Sequence, residues 1–289
     1  MEKKIMILIF LLIVLNKSFA QPDKQPDITL TFDTDFFDAV DHWVVLSEKT
    51  NGAFLYGYVY IDDTTGFTFV LESTFTVKAD GKQQYQEARH NYLIKKPLDK
   101  NTGKVCVLSE KNIQELHLPD KPEWLRIYET DLDTAPRLSK KGYHYNAVGC
   151  SKSAIPFLEK AYQTEPHTNG LEFQLAVAYN ATGNYQKAID VMQAAIAFNP
   201  RNYMLFRELG FALFQSGKPD AAEQVYVNGL NYCKTIDEKC EMCLDLVKTY
   251  AALGDKSKFE KWIRNTKRYA MKGSEHLKNL ESYESNTSP

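Results

Sequence analysis

Residues 171–200 read LEFQLAVAYNATGNYQKAIDVMQAAIAFNP, and residues 205–234 read LFRELGFALFQSGKPDAAEQVYVNGLNYCK. The two stretches match when the chain is shifted by 34 residues. The matched positions, with the first copy before the second, are Leu175/Leu209, Ala176/Gly210, Tyr179/Leu213, Gly183/Gly217, Ala188/Ala222, Met192/Tyr226 and Ala195/Gly229. So many matches at one offset indicate a structural repeat.

The repeated residues describe a pair of helices. Apolar residues recur at helical spacing on both sides of Gly183 and Gly217, and each glycine allows a tight turn between two helices. Small residues at Ala176 and Ala195, and at their equivalents in the second copy, would let the paired helices approach closely. The pattern therefore predicts helix pairs that stack on one another through large apolar side chains.

In length and residue pattern this unit resembles the tetratricopeptide repeat (TPR) family. That family carries large, small and aromatic residues on its first helix and Ala, aromatic, Ala and Pro on its second. Residues 169–202 match closely and end on Asn199-Pro200, whereas residues 203–236 carry Lys234 where the closing proline is usual. The resemblance implies three to four helix pairs over residues 136–270.

The outer copies of the repeat are less regular. The third copy has three extra residues in its connection and carries Leu246, Val247, Tyr250, Gly254, Phe259 and Ile263. An upstream second helix fits with Ala154, Leu158, Ala161 and Pro166. Its partner is degenerate, since Lys141 stands where a large apolar residue belongs, although Gly142, Tyr145 and Gly149 fit.

Residues 21–135 have a different period and predict an antiparallel β-rich domain. Residues 54–61 alternate, with Phe54, Tyr56, Tyr58 and Tyr60 on one face and Leu55, Val59 and Ile61 on the other. The turn 62–66 leads to a returning strand with Phe67, Phe69, Leu71 and Phe75. We expect further strands at 92–94, 105–108 and 124–128, and a short helix at 112–116. The predicted fold class is thus α+β, with the helical solenoid following the β-rich domain.

Residues 1–20 have the pattern of a secretory signal peptide. Lys3 and Lys4 precede an apolar run from Ile5 to Leu15, which is too short to cross a bilayer as a helix, and Ala20 completes a small-residue flank. We therefore expect the mature protein to begin at Gln21 and to be exported to the periplasm or the extracellular space. Residues 271–289 are expected to form a polar tail.

Composition and motifs narrow the function classes. The 289 residues hold 35 Lys and Arg against 37 Asp and Glu, so the chain lacks the basic footprint of a nucleic-acid-binding protein. The phosphate-loop pattern, G-x-S-x-G and H-E-x-x-H are absent from the sequence. The acidic stretch 33–42 lacks the glycine of a calcium loop, and His144 is interpreted as packing between the domains. We predict no catalytic residue, cofactor or metal.

The five cysteines are Cys106, Cys150, Cys233, Cys240 and Cys243. Export would allow disulfides to persist, and the odd number leaves at least one thiol unpaired. Cys233 and Cys240 would lie on either side of a short connection between adjacent helices. The sequence therefore predicts a bond between these two residues.

The TPR resemblance implies an exported, non-catalytic adaptor that holds a protein or peptide on a concave surface. The inward-facing residues of the first helices would be Phe173, Val177, Asn180, Arg207, Phe211 and Phe214. Asn180 and Arg207 are the only polar members, so capture of a carboxylate is not expected. An apolar surface needs a cover, which would be a partner segment or this chain's own β-rich domain folded back on the repeats.

Three other functions stay open from the sequence. The aromatic β-rich domain could bind a glycan or small ligand on Tyr56, Tyr58, Tyr60 or Trp124, with the repeats as a spacer. A hydrolase could assemble catalytic groups from distant parts of the chain. The basic stretch 256–278 could bind a membrane surface or an acidic partner instead of capping the helical array.

Overall fold

A computed structural model describes residues 27–86, 92–128 and 133–287. The signal-like segment 1–20 and the expected new N-terminus at Gln21 lie outside these residues. Within them, an antiparallel sheet is followed by a helical array, which is the predicted fold class. Of the helices in this part of the chain, none is long and apolar enough to span a membrane.

The sheet runs in the order β4-β3-β2-β1-β6, and β5 pairs with the N-terminal part of β3. Every pairing is antiparallel. The strands are β1 His42–Thr50, β2 Ala53–Asp62, β3 Gly66–Val77, β4 Gln83–Tyr85, β5 Ile94–Pro97 and β6 Val105–Val107. A short helix, α1, follows at Glu110–Glu115, as predicted, and Ser109 caps its N-terminus. The expected strand at 92–94 is observed as β5, which begins later.

The alternation along β2 is confirmed, but a bulge interrupts the alternation along β3. Tyr56 pairs with Ser73 whereas Gly57 pairs with Leu71, so Glu72 is the extra residue. One extra residue inverts the faces of a strand. Phe67 and Phe69 consequently face the helices, while Phe75 lies in the opposite aromatic core.

The aromatic face of the sheet is a packed core. Tyr56, Tyr58 and Tyr60 are all buried, and Trp124 is half-buried with its ring centroid 5.3 Å from that of Tyr60. The expected strand at 124–128 is instead a 3₁₀ helix, Glu123–Tyr128, which lies over these rings. It follows Pro122, whose carbonyl accepts a bond from the Leu125 amide. The rings are therefore occupied by one another and do not form an open stacking surface for a glycan.

Helices follow from Ala135 onward and pack in consecutive pairs. Their bounds are α2 Ala135–Ala147, α3 Ser151–Thr164, α4 Leu171–Ala181, α5 Tyr185–Phe198, α6 Tyr203–Gln215, α7 Pro219–Leu230, α8 Ile236–Leu253, α9 Lys256–Tyr269 and α10 Glu275–Thr287. Pairing α2 with α3, α4 with α5, α6 with α7 and α8 with α9 gives four pairs among the residues described. The degenerate upstream copy is thus a full helix pair.

Glycine allows the close approach of paired helices. A Cβ on Gly142 would lie 2.3 Å from Leu158 Cγ, and one on Gly210 would lie 2.5 Å from Tyr226 Cε2. Neither space could hold a methyl group unless the facing side chain shifted. The small residues of the repeat therefore have the role that the sequence predicts.

The expected polar tail contains a helix. Residues of α10 pack against α8, where Leu280 is fully buried. Lys267 Nζ lies 2.7 Å from Glu284 Oε1, which links α9 to α10. Leu277, Leu280 and Tyr283 are spaced three residues apart and face this contact, so a sparse apolar stripe is enough to dock a mostly polar helix.

Part of the basic stretch in α9 forms ion pairs within the chain itself. Lys258 Nζ lies 2.5 Å from Asp220 Oδ1 and 3.1 Å from Glu223 Oε2, and Lys261 Nζ lies 2.7 Å from Glu223 Oε1. These acidic residues belong to α7. The basic residues thus join consecutive helix pairs, which favours the capping role over a membrane-binding face.

The β-rich domain packs against the first helix pair. Phe67 of β3 contacts Tyr145 of α2 with ring centroids 5.0 Å apart, and both belong to a core that continues into the repeats. At the β2–β3 turn, a Cβ on Gly66 would lie 2.7 Å from His144 Nδ1. His144 is buried in this contact, as the sequence predicts. The sheet therefore closes the N-terminal end of the helical array.

Candidate functional site

The repeats enclose a groove of about 640 Å³ between the first helices of successive pairs. Its lining comes from α4, α6 and α8, with Tyr226 of α7 at its base. The lining residues are Val177, Asn180, Ala181, Arg207, Glu208, Phe211, Phe214, Gln215, Tyr226, Asp245, Lys248, Thr249 and Ala252. The size of the groove suits several side chains of a bound segment.

Five of the six residues predicted for the concave surface line this groove. They are Val177, Asn180, Arg207, Phe211 and Phe214. Phe173 does not; it is half-buried beside a separate cavity of about 140 Å³ near the start of α4. Phe173 lies one helical turn before Val177, near the start of α4.

The apolar wall of the groove is partly open to solvent. The Phe211 side chain is 40% exposed, and Val177 and Phe214 are half-buried. The β-rich domain does not cover them, because its contact with the helices is at α2. The sequence allowed either a partner segment or the β-rich domain to cover this apolar surface. The β-rich domain is docked elsewhere.

Arg207 is neutralised inside the groove. Its Nε lies 2.6 Å from Asp245 Oδ2, and its Nη1 lies 3.1 Å from Glu241 Oε2. Burial alone would lower the pKa of Arg207, but the two carboxylates raise it above its ordinary value. The guanidinium is thus charged and already has two acidic partners, so it offers little to an incoming carboxylate.

Asn180 joins neighbouring first helices and leaves an acceptor unused. Its Nδ2 donates to the Glu208 carbonyl at 3.3 Å and to Glu208 Oε2 at 3.0 Å. Both contacts require a donor, which fixes the orientation of the amide. Asn180 Oδ1 is buried and has no hydrogen-bond partner among the described residues. The pKa of Glu208 is raised because burial disfavours its charge.

The same contact recurs one repeat earlier with a neutral partner. Asn146 Nδ2 donates to the Gln174 carbonyl at 2.9 Å and to Gln174 Oε1 at 3.1 Å. Asn146 and Gln174 are each 34 residues before Asn180 and Glu208. A neutral amide is therefore enough to accept these hydrogen bonds between first helices, and the charge of Glu208 is not needed for them.

Sequence reasoning missed Glu208, Asp245 and Lys248 among the groove residues. The signal was available, because the third copy carries three extra residues in its connection. With that insertion, Asp245 stands where Glu208 stands in the second copy, and Lys248 stands where Phe211 stands. Extending the repeat alignment to every position of the first helices would have found Asp245 and Lys248.

A second polar cluster lies between the sheet and the 3₁₀ helix. Lys95 Nζ is 3.0 Å from Asp62 Oδ2 and 2.9 Å from the Tyr128 hydroxyl, and Tyr60 donates to Asp62 Oδ2 at 2.8 Å. Burial lowers the pKa of Lys95, but its hydrogen bonds outweigh this and raise it; burial also raises the pKa of Tyr60. Neither group is poised as a base or nucleophile at neutral pH. The cluster is a structural ion pair and gives no support to a hydrolase.

The cysteines correct an expectation from the sequence. All five are free, so the predicted bond between Cys233 and Cys240 is absent. Cys240 is fully buried on α8, whereas Cys233 is half-buried beyond α7 with its thiol 3.7 Å from the Gly229 carbonyl. Burial raises the pKa of Cys233 to about 11 and that of Cys243 to about 12, so both are thiols. Groups of His, Cys, Asp and Glu that could hold a metal are absent from the described residues.

Comparison with known proteins gives one family match. Residues 173–202 match the family model described as tetratricopeptide repeat. None of the curated proteins matches the chain significantly. The matched residues are those of α4 and α5, so they include Val177 and Asn180 of the groove.

Several solved structures are similar to part of the chain. A crystal structure of MamA is 20% identical over 56% of this chain and 87% of that chain, with a TM-score of 0.44. TTC0263, a thermophilic TPR protein of Thermus thermophilus, is 20% identical over 56% of this chain and 84% of that chain, with a TM-score of 0.45. YrrB, described as a TPR protein with an unusual peptide-binding site, is 17% identical over 55% and 78%, with a TM-score of 0.44. The family match covers residues 173–202, so it assigns one repeat copy to the tetratricopeptide repeat pattern.

Proposed function

We propose that the chain is an exported, non-catalytic adaptor whose groove, lined by α4, α6 and α8, holds a segment of another protein. The observation that carries the proposal is the open apolar wall of Val177, Phe211 and Phe214 in a groove of about 640 Å³. Apolar side chains grouped in a concave surface are typical of recognition sites, since burying them in a complex is favourable. The chain's own β-rich domain is docked at α2 and leaves this wall uncovered.

The β-rich domain supports the groove from a distance in this proposal. It contributes a core to α2 and α3, which would otherwise end the array with an exposed apolar face. At the other end α10 covers α8 in the same way. The two ends are thereby closed, and the first helices of the middle pairs are left for a partner.

Export is supported by the pattern of residues 1–20, which has a basic start, a short apolar run and a small-residue flank before Gln21. N-terminal sequencing of the protein recovered from its own cells tests this part. We expect Gln21 as the first residue. A recovered protein that retains residues 1–20 would contradict export by this route.

The groove is tested by comparing partner recovery with stability. The variant Phe211→Ala with Phe214→Asp removes the apolar wall, and Phe211→Asp alone changes only its most exposed residue. Val227→Ala on α7 is the control, because Val227 is similarly exposed and does not line the groove. We expect proteins that copurify with the wild type and the control to be lost from both groove variants. A partner retained by Phe211→Asp at full yield would contradict the groove.

Melting temperature separates binding from folding in the same set of variants. Phe214 is half-buried against the main core, so the double variant is expected to lose some stability. Phe211→Asp is expected to melt close to the wild type, since its side chain is 40% exposed. A large fall in its melting temperature would show that Phe211 belongs to the folding core and not to a binding surface.

A further inference from the structure

Glu208 is an unusual residue for the position that it occupies. The equivalent residue one repeat earlier is Gln174, which makes the same hydrogen bonds with Asn146 without carrying a charge. A carboxylate in a half-buried apolar groove is costly to ionise unless a cation accompanies it. Within the described residues, no lysine, arginine or histidine forms an ion pair with Glu208. Burial and Asp245 oppose the charge of Glu208, whereas Arg207 favours it from a distance. The charge is therefore not needed for the fold and is only partly compensated by it.

Two acceptors lie together at this point of the groove. Glu208 accepts one side-chain hydrogen bond, from Asn180, and a carboxylate can accept several. Asn180 is only 6% exposed, and its Oδ1 has no partner among the residues described. Asn146 Oδ1 also lacks a partner there, so the carboxylate of Glu208 is what distinguishes this point from the preceding repeat. Unused acceptors next to an unpaired carboxylate favour a ligand that brings hydrogen-bond donors and a positive charge.

The basic residues of the groove do not reverse this preference. Arg207 is held by Asp245 and Glu241, and Lys248 Nζ lies 3.5 Å from Asp245 Oδ1. These two cations and two carboxylates balance. When Glu208 is ionised, the groove has one negative charge in excess, and a cation bound beside Glu208 would favour this ionised form.

We propose that the partner segment of this groove carries a lysine or arginine flanked by large apolar residues. The cationic side chain binds at Glu208 and Asn180, and the apolar residues pack on Val177, Phe211 and Phe214. This inference rests on the proposed function and adds the chemistry of the partner. An acidic segment, a free C-terminal carboxylate and a second copy of the chain are the other possible occupants.

Random peptides displayed on phage, selected against the full mature chain, test the proposal before any natural partner has been identified. The expected consensus is a basic residue with large apolar residues on one or both sides. Selected peptides are then synthesised with the basic residue kept, changed to glutamine or changed to glutamate. Their dissociation constants are measured by fluorescence anisotropy at two salt concentrations. We expect the order basic, neutral, acidic from tightest to weakest, with a narrower spread at high salt.

The variant Glu208→Gln recreates the neutral Asn146–Gln174 contact, so it is expected to fold normally. It should weaken binding of the basic peptide by about ten- to a hundredfold, the loss typical of a charge-assisted hydrogen bond, and should leave the glutamine peptide nearly unaffected. Glu260→Gln on α9 is the matched control, because it removes an exposed carboxylate outside the groove. Phe211→Asp should abolish binding of every groove peptide.

The outcomes separate the partner chemistry from the function itself. An acidic or carboxylate-terminal consensus that needs Phe211 would overturn the basic partner and leave the adaptor groove standing. Equal affinity of Glu208→Gln and the wild type for the basic peptide would also overturn it. Selection of no peptide that depends on Phe211 would overturn both proposals. A wild-type dimer that Phe211→Asp dissociates would identify a second copy as the occupant and contradict a basic partner.

Discussion

Phe67→Ala is expected to uncouple the sheet from the helical array. Phe67 is 1% exposed, and its ring centroid lies 5.3 Å from that of Phe36 in the β-rich domain and 5.0 Å from that of Tyr145 on α2. Truncating a buried phenylalanine costs about 3–5 kcal/mol. Part of this comes from the edge-to-face contact with Tyr145, which is worth roughly 0.5–1.5 kcal/mol. The loss falls on the core that both domains share.

Phe75→Ala is the matched control for this variant. Phe75 lies on the same strand and is fully buried, but the bulge at Glu72 turns it to the other face. There it stacks on Phe54 and Tyr85, with ring centroids 5.5 and 5.1 Å away. Both variants should lose a similar free energy of unfolding, and only Phe67→Ala should weaken the contact with α2.

Native-state hydrogen exchange measured by mass spectrometry distinguishes the two variants. In Phe67→Ala, amides of α2 should exchange faster by a factor on the order of 10² to 10³, which corresponds to about 3–4 kcal/mol lost from the core that α2 shares with the sheet. In Phe75→Ala the exchange of α2 should change by less than about tenfold. Equal acceleration of α2 in both variants would refute the idea that Phe67 joins the domains.

Three further predictions concern the helical array. Gly142→Ala should lower the melting temperature, because the new Cβ would lie 2.3 Å from Leu158 Cγ, and overpacking costs about 1–3 kcal/mol against a gain of about 1 kcal/mol in helix propensity. Burial would raise the pKa of Glu223, but hydrogen bonds from Lys261, Tyr250, Lys258 and Trp262 lower it to about 2 from 4.5. The stabilisation by ionised Glu223 is thus full above pH 4.5 and is lost as pH falls towards 2. In the wild type, the urea concentration at the unfolding midpoint should fall over this pH range. In Glu223→Gln the midpoint should depend less on pH. Cys240 and Cys243 should resist alkylation in the native protein, because both are buried. All five cysteines should react after unfolding without a reductant, because all five are free. Two cysteines that stay unreactive after unfolding would support the predicted disulfide instead.

The repeat spacing carried most of the predictable information about the helical half. Ala176/Gly210 and Gly183/Gly217 recur because helix contacts and turns impose the same size limits in each pair. The first pair was harder to recognise, because α2 packs on the sheet as well as on α3. Lys141 breaks the pattern without breaking the helix; its Nζ lies 4.5 Å from the centre of the Phe157 ring.

The β-rich half was predicted in its central hairpin and less well outside it. Alternation identifies a half-buried strand, so β2 and the start of β3 were clear. The bulge at Glu72 left no signal in the alternation, because apolar residues occur on both faces of β3. The sequence of the 3₁₀ helix Glu123–Tyr128 predicts a strand, since its aromatic residues also suit a sheet.

The groove was predictable in position and less so in charge. Helical spacing found five of its lining residues, but the partners of Arg207 come from α8, where the extra residues shift the alignment. Which charges are compensated depends on side-chain contacts between repeats. The unpaired state of Glu208 could therefore be recognised only from the structure.

Site-specific photo-crosslinking from position 211 tests the central claim most directly. A photoreactive phenylalanine analogue replaces Phe211 in the full chain, expressed in its own cells, and replaces Val227 on α7 in a parallel control. The proposed groove predicts a crosslinked adduct with another protein from position 211 and none from position 227. Crosslinks from position 211 only to this chain's own β-rich domain, or equal adducts from both positions, would contradict an open binding groove.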